Sequence, residues 1–160
     1  MPNFNKILII IPCGKKKIWA KDSSIRGVKA KDAYISNYFK LCKLYAERFS
    51  DKWLILSGKY GIIEPDFVID NDYDTKLNAS KEFQDKVRKQ LMPIIRESFT
   101  RVISLCGNDY SCFLKDILKP FGFIVETPFE KMKIGERQKQ LKKCLERNKP
   151  YQAKRSPNGR

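Results

Sequence analysis

The sequence predicts an α/β fold: one three-layer α/β/α domain built around a mostly parallel, four-stranded sheet. Four short apolar runs rich in β-branched residues are closed by Gly, Pro or Ser-Gly breaks, as strands buried on both faces are. Stretches with apolar residues at helical spacing alternate with them, the order expected when helices cross back over a parallel sheet. The chain has 160 residues, one domain on the usual range of ~100–200.

Residues 7–11 (Ile-Leu-Ile-Ile-Ile), ended by Pro12 and Gly14, are the first strand. The run is too short for a signal-peptide core or a membrane span, so a cytoplasmic protein with no membrane partner is expected. Residues 36–49 carry apolar side chains at 38, 39, 41, 42, 45, 46 and 49 and form the first helix. Residues 53–56 are the second strand, ended by Ser57-Gly58. Residues 80–98 place Phe83, Val87, Leu91, Ile94 and Ile95 on one helical stripe, with Ser80 as N-cap and Pro93 expected to bend or split the helix. The third strand, 102–106, precedes Gly107. A helix over 110–118 is closed by Pro120 and Gly122. The fourth strand, 123–125, precedes Thr127-Pro128, and a strongly basic helix covers 134–145. Residues 148–160 lack periodicity and are expected to be a disordered basic tail, leaving 1–147 as the domain.

Lys and Arg number 33 against 18 Asp and Glu, with no His, for a formal net charge of +15. Without His there is no Ser-His-Asp triad, no Cys-His dyad, no His-ligated zinc and no imidazole base. Acid–base work falls to Asp, Glu, Tyr, Cys or Lys. Five Cys, odd in number and without CxxC pairs, point to a reducing compartment and away from a disulfide frame or zinc knuckle. The charge surplus sits at the chain ends: 9 basic against 2 acidic residues over 1–40, 13 against 13 over 41–127, and 11 against 3 over 128–160. Two basic flanks on a neutral body predict a localised polyanion footprint, provided the ends meet in space. The plain alternative is solvated Lys on an ordinary surface.

In open parallel sheets ligands bind beyond the carboxyl ends of the strands, so the residues after each strand carry the functional reading. Cys13-Gly14-Lys15-Lys16-Lys17 follows the first strand. It lacks Walker spacing, but its glycine and lysines could receive a phosphate. After the second strand, Ser57-Gly58-Lys59-Tyr60-Gly61 brackets a Lys-Tyr pair with glycines, a Tyr to stack on a base and a Lys to meet a phosphate. Glu64, Asp66, Asp70, Asp72 and Asp74 form a compact acidic stretch with no basic residue. Its opening mimics a calcium loop, but Thr75 replaces the required glycine and Lys81 the bidentate Glu, so calcium is rejected. A carboxylate held near the Lys-Tyr loop is the functional reading, and a solvated loop offsetting nearby Lys the structural one. After the third strand, Asn108 could read a base edge, or Asn-Asp could cap the next helix. Cys13 and Cys106 sit at strand ends with no His to activate them.

These motifs, in this order, resemble the DUF6884 family. Cys13-Gly14-Lys15-Lys16-Lys17 is similar to its CGKKK opening, residues 30–34 (Ala-Lys-Asp-Ala-Tyr) to its A+DLY segment, and residues 54–66 to its ILSAKHGLLDPD. Residues 73–77 resemble its YDLTL, and Ile134-Gly135-Glu136-Arg137 with Leu141 its closing GIGERLxWL. The family usually has His where this chain has Tyr60, so no imidazole role carries over. The resemblance implies a uracil-DNA-glycosylase-like fold. It also links the chain, more remotely, to a domain of archaeosine synthase and to DNA-binding proteins of the YaaA type.

Those links imply a base-processing enzyme on nucleic acid, DNA before RNA, foremost an N-glycosylase that flips a modified base and stabilises an oxocarbenium-like sugar. Asp74, Tyr60 and Lys59 are the expected catalytic residues. Cys13, Gly14, Lys15, Ser57, Gly58, Tyr73 and Asn108 are expected to bind the substrate. Lys16, Lys17, Arg137, Lys142 and Lys143 are expected on the nucleic-acid backbone. No metal or cofactor is expected. A non-catalytic DNA- or RNA-binding protein, a deazaguanine-type transferase and a nucleoside or nucleotide hydrolase are the alternatives.

Overall fold

Alternation along the first strand sets the layers. In the computed structural model, which describes residues 6–152, β1 (Ile7–Pro12) is apolar throughout because it is buried on both faces. Ile9 and Ile11 enter one core, Leu8 and Ile10 the other. After β1 the chain forms a short strand β2 (Val28–Lys29), a one-turn helix α1 (Ala30–Ala33) and helix α2 (Asn37–Phe49). The Ser36 hydroxyl caps α2 by accepting from the Phe39 amide. Next come β3 (Lys52–Ser57), β4 (Gly61–Ile63) and β5 (Val68–Ile69). Helix α3 (Lys81–Ser98), β6 (Arg101–Ser104), α4 (Asn108–Leu118), β7 (Val125–Glu126) and α5 (Ile134–Arg147) complete the described chain.

The main sheet has the order β4-β3-β1-β6-β7. β3, β1, β6 and β7 are parallel, and β4 runs antiparallel to β3. The sheet therefore has five strands and not four. The fifth, β4, is only three residues long, and nothing in so short an apolar run marks it as turning back on β3. Helices α2 and α5 pack together and cover the face carrying Ile9, Ile55 and Ile103. Helices α3 and α4 cover the face carrying Leu8, Leu54 and Val102. The chain leaves β1 toward β3 on one side and returns from β3 to β6 on the other, which puts the topological switch point between the ends of β1 and β6.

Other expectations shift. The last strand is Val125–Glu126 and not 123–125, because Gly122 takes a left-handed turn (φ 82°) and leaves Ile124 85% exposed. Pro93 neither splits nor ends α3, which runs unbroken to Ser98 with Pro93 on its solvent side. Gly107, not Asn108, is the N-cap of α4, and it caps without a side chain. An unforeseen antiparallel pair, β2 with β5, ties the acidic stretch to the segment before α1. Of the expected tail, residues 153–160 lie outside the described residues. Tyr151 is anchored: its amide donates to the Tyr45 hydroxyl (3.0 Å) and its ring meets Phe129 edge-on. No helix among the described residues is long and apolar enough to cross a membrane.

Candidate functional site

The β3–β4 hairpin builds the centre of the site. Ser57 pairs with Gly61, leaving Gly58, Lys59 and Tyr60 as the tip. Gly61 sits at φ 76°, a conformation that favours glycine, and Gln90 of α3 locks the turn. The Gln90 amide donates to the Tyr60 carbonyl (3.1 Å) and accepts from the Ile62 amide (2.8 Å). Gly58 allows a backbone crossing: a Cβ there would lie 2.3 Å from the Thr75 carbonyl. The irregular strap between β5 and α3 therefore passes directly over the hairpin and brings Asp74 to its side.

Beneath the strap lies a directional chain of hydroxyls. The Ser57 Oγ accepts from the Lys59 and Tyr60 amides, both at 3.2 Å. With both lone pairs occupied, its proton is donated to the Tyr73 Oη, 2.9 Å away. Buried Tyr34 makes a second hydroxyl contact with Tyr73. Burial, reinforced by the Tyr73 neighbour, pushes the Tyr34 hydroxyl well above its ordinary range, so it stays protonated. Burial likewise pushes Tyr73 up to about 12. Tyr73 is therefore a neutral phenol whose oxygen accepts from Ser57 and shares a hydroxyl contact with Tyr34. The Lys17 ammonium lies 4.4 Å from the Tyr73 ring centre, and Lys59 lies 5.6 Å from it and 5.1 Å from that of Tyr60. Tyr60 also meets Tyr73 edge-on at 5.4 Å.

Not every expected residue reaches this cluster as a free group. Lys17 is only 6% exposed and donates to the Lys15 carbonyl, so it is a buried cation under Tyr73 and not a phosphate contact. Its place is fixed by a bridge to Tyr34 and by the Ile35 amide donating to the Lys16 carbonyl. Arg137 is 5% exposed and is likewise no backbone contact. It donates to the carbonyls of Cys106 (2.8 Å) and Met132 (3.0 Å) and to the Asn108 Oδ1 (3.3 Å), clamping α5 to the end of β6. Gly14 packs against the Ser36 cap, while Lys15 and Lys16 are exposed. Asp74 and Asn108 are exposed. Glu64 and Asp66 pair with Lys52 and with Lys29 and Lys31, so this half of the acidic stretch offsets nearby Lys.

At the switch point, the Cys13 amide extends the β1–β3 ladder to the Leu56 carbonyl (3.1 Å), and its Sγ lies 3.8 Å from the Tyr110 hydroxyl. Tyr38 donates to the Leu105 carbonyl at 2.6 Å. Tyr34, Tyr38 and Tyr110 are site residues that sequence reasoning did not single out. A signal for Tyr34 existed in its match to the A+DLY segment, but its partners, Lys17 and Tyr73, come from distant parts of the chain.

Among the described residues, Lys142 and Lys143 do not converge here with the basic residues of the first strand's loop. Lys15, Lys16 and Lys59 crown the carboxyl edge of the sheet. Helix α5 starts at that edge, where Arg137 meets Cys106, and descends beside α2 to the opposite edge, where Arg48 donates to the Leu145 carbonyl. Lys142 and Lys143 lie along this descent, toward Arg147 and the segment around Tyr151.

Comparison with known proteins places these features in a family. The chain is 34% identical over 116 residues to the uncharacterized protein YfjM of Bacillus subtilis (strain 168), across 71% of this chain and 77% of YfjM. The crystal structure of AF0587, a protein of unknown function, is similar with a TM-score of 0.48 at 14% identity. That similarity covers 96% of this chain, which spans only 47% of the AF0587 chain. The family model of DUF6884, a family of unknown function, matches residues 8–143, and the chain belongs to that family.

Proposed function

We propose that the protein is a nucleic-acid base-processing enzyme, a DNA N-glycosylase of uracil-DNA-glycosylase-like architecture acting in the cytoplasm on a modified base. The observation that carries this reading is the hairpin tip: exposed Lys59 lies against the rings of Tyr60 and Tyr73, and the strap that crosses the tip at Thr75 carries the exposed Asp74 one residue before the crossing. Lys15, Lys16 and Lys59 would take phosphates, and the Tyr60 ring would meet a base flanking the target once Lys59 swings to the backbone. Tyr73 would donate its proton as a hydrogen bond. When the N-glycosyl bond breaks, its electron pair leaves on the base nitrogen. Water adds to the sugar carbon and passes its proton to Asp74. Incubation with DNA carrying diverse modified bases is expected to yield abasic sites, and Asp74→Asn to lower their rate about 100-fold or more. Unchanged turnover in Asp74→Asn removes Asp74 from the mechanism.

A non-catalytic DNA- or RNA-binding role is the second reading. It is favoured by Asp74 having no hydrogen-bond or ion-pair partner among the described residues to aim it. Tight, salt-sensitive binding with no abasic product would select it.

A further inference from the structure

A cleft of about 540 Å³ lies between the strap and α4. Its volume falls in the ~300–1,000 Å³ range of small-molecule sites. Leu77 lines it from the strap, and Tyr110 and Phe113 from α4. Tyr110 belongs to both places, since its hydroxyl also contacts Cys13 at the switch point. The polar lining includes Lys76 from the strap and two carboxylates, Asp109 and Asp116, two helical turns apart on α4. Among the described residues neither has an ion-pair partner, in a protein of net charge +15. A carboxylate only accepts hydrogen bonds, so an edge with two adjacent N–H donors satisfies it best. Asp109 is the carboxylate nearer the switch point, one residue from Asn108 and Tyr110.

We infer that this cleft is the base-binding slot, and that Asp109 selects a purine-type base presenting an amino group beside a ring N–H over bases that lack this donor pair. The inference rests on the base-processing reading and deepens it: the Lys-Tyr hairpin holds the strand, and the base lies between Leu77 and the half-buried Tyr110 of α4. Guanosine, inosine (which lacks the amino group) and uridine, titrated calorimetrically into the full-length protein, test it. Guanosine is expected to bind about tenfold or more tightly than inosine or uridine. Asp109→Asn, an exposed change, should abolish the preference for guanosine over inosine, and Asp116→Asn should keep it. Equal affinity for guanosine and inosine, or an undiminished preference in Asp109→Asn, overturns the inference. The abasic-site assay reads separately. Selective guanosine binding without abasic product leaves the slot standing and removes hydrolysis, whereas abasic product without nucleoside selectivity does the reverse.

Discussion

Tyr73 shows how one residue's chemistry follows from its neighbours. Tyr73→Phe keeps the ring and the Lys17 contact but strips the buried Ser57 and Tyr34 hydroxyls of their partner. It is expected to lower stability by about 1–3 kcal/mol, read as a shift in the denaturant midpoint. The same variant has a pH signature. Tyr73 is held up to about 12 in the fold, against ~10 in an unfolded chain. The folded state therefore binds this proton more tightly. Its contribution is complete below pH ~10 and is lost as pH rises from about 10 to about 12. Tyr34, Tyr38 and Tyr110, also raised by burial, act with the same sign. Tyr73→Phe should show a shallower alkaline loss of stability than the parent. At this scale the sequence was only partly legible. Glycine bracketing singled out Lys59 and Tyr60, but Lys15, Lys16 and Lys17 read alike, and only the bridge to Tyr34 buries one and exposes the others.

At the scale of elements, periodicity was a reliable guide for the long helices and a poor one for short strands. The Ser80 cap and the apolar stripe of α3 lie where the spacing predicts them, and Phe83 donates to the cap. Pro93, expected to bend or split α3, does not split it: its ring sits on the solvent side, where helix α3 continues past the missing donor. Pro93→Ala restores an amide to donate to the Lys89 carbonyl and is expected to raise stability by roughly 1–3 kcal/mol, measured by thermal unfolding. Arg137 illustrates the opposite difficulty. In a helix with Lys139, Lys142, Lys143 and Arg147 it reads as one more surface cation, yet packing of α5 against the end of β6 turns it into a buried clamp.

Across the whole molecule, the question is which charges can share one polyanion. Helix α5, 14 residues long, carries its last residue about 20 Å from its first at 1.5 Å per residue. A short duplex on the carboxyl edge should therefore feel Lys15, Lys16 and Lys59 but not Arg147 or Lys149. Replacing Lys15, Lys16 or Lys59 by Ala is expected to flatten the slope of log K against log salt by ~0.9 each. Arg147→Ala and Lys149→Ala should leave it unchanged, as anisotropy titrations over a salt series would register. The reverse pattern would put the footprint on the opposite edge.

The sequence by itself determined the class of the fold, the long helices, the parallel core strands and the place to look for a site. Those features are local: apolar period, caps and breaks are written in neighbouring residues. The tertiary structure decided the return of β4, the burial of Lys17 and Arg137, the Ser57–Tyr73–Tyr34 cluster and the placement of Lys142 and Lys143 away from the carboxyl edge. Each of these depends on contacts between residues far apart in sequence. Burial, not residue type, decides whether a lysine or arginine meets solvent or supports the site from below.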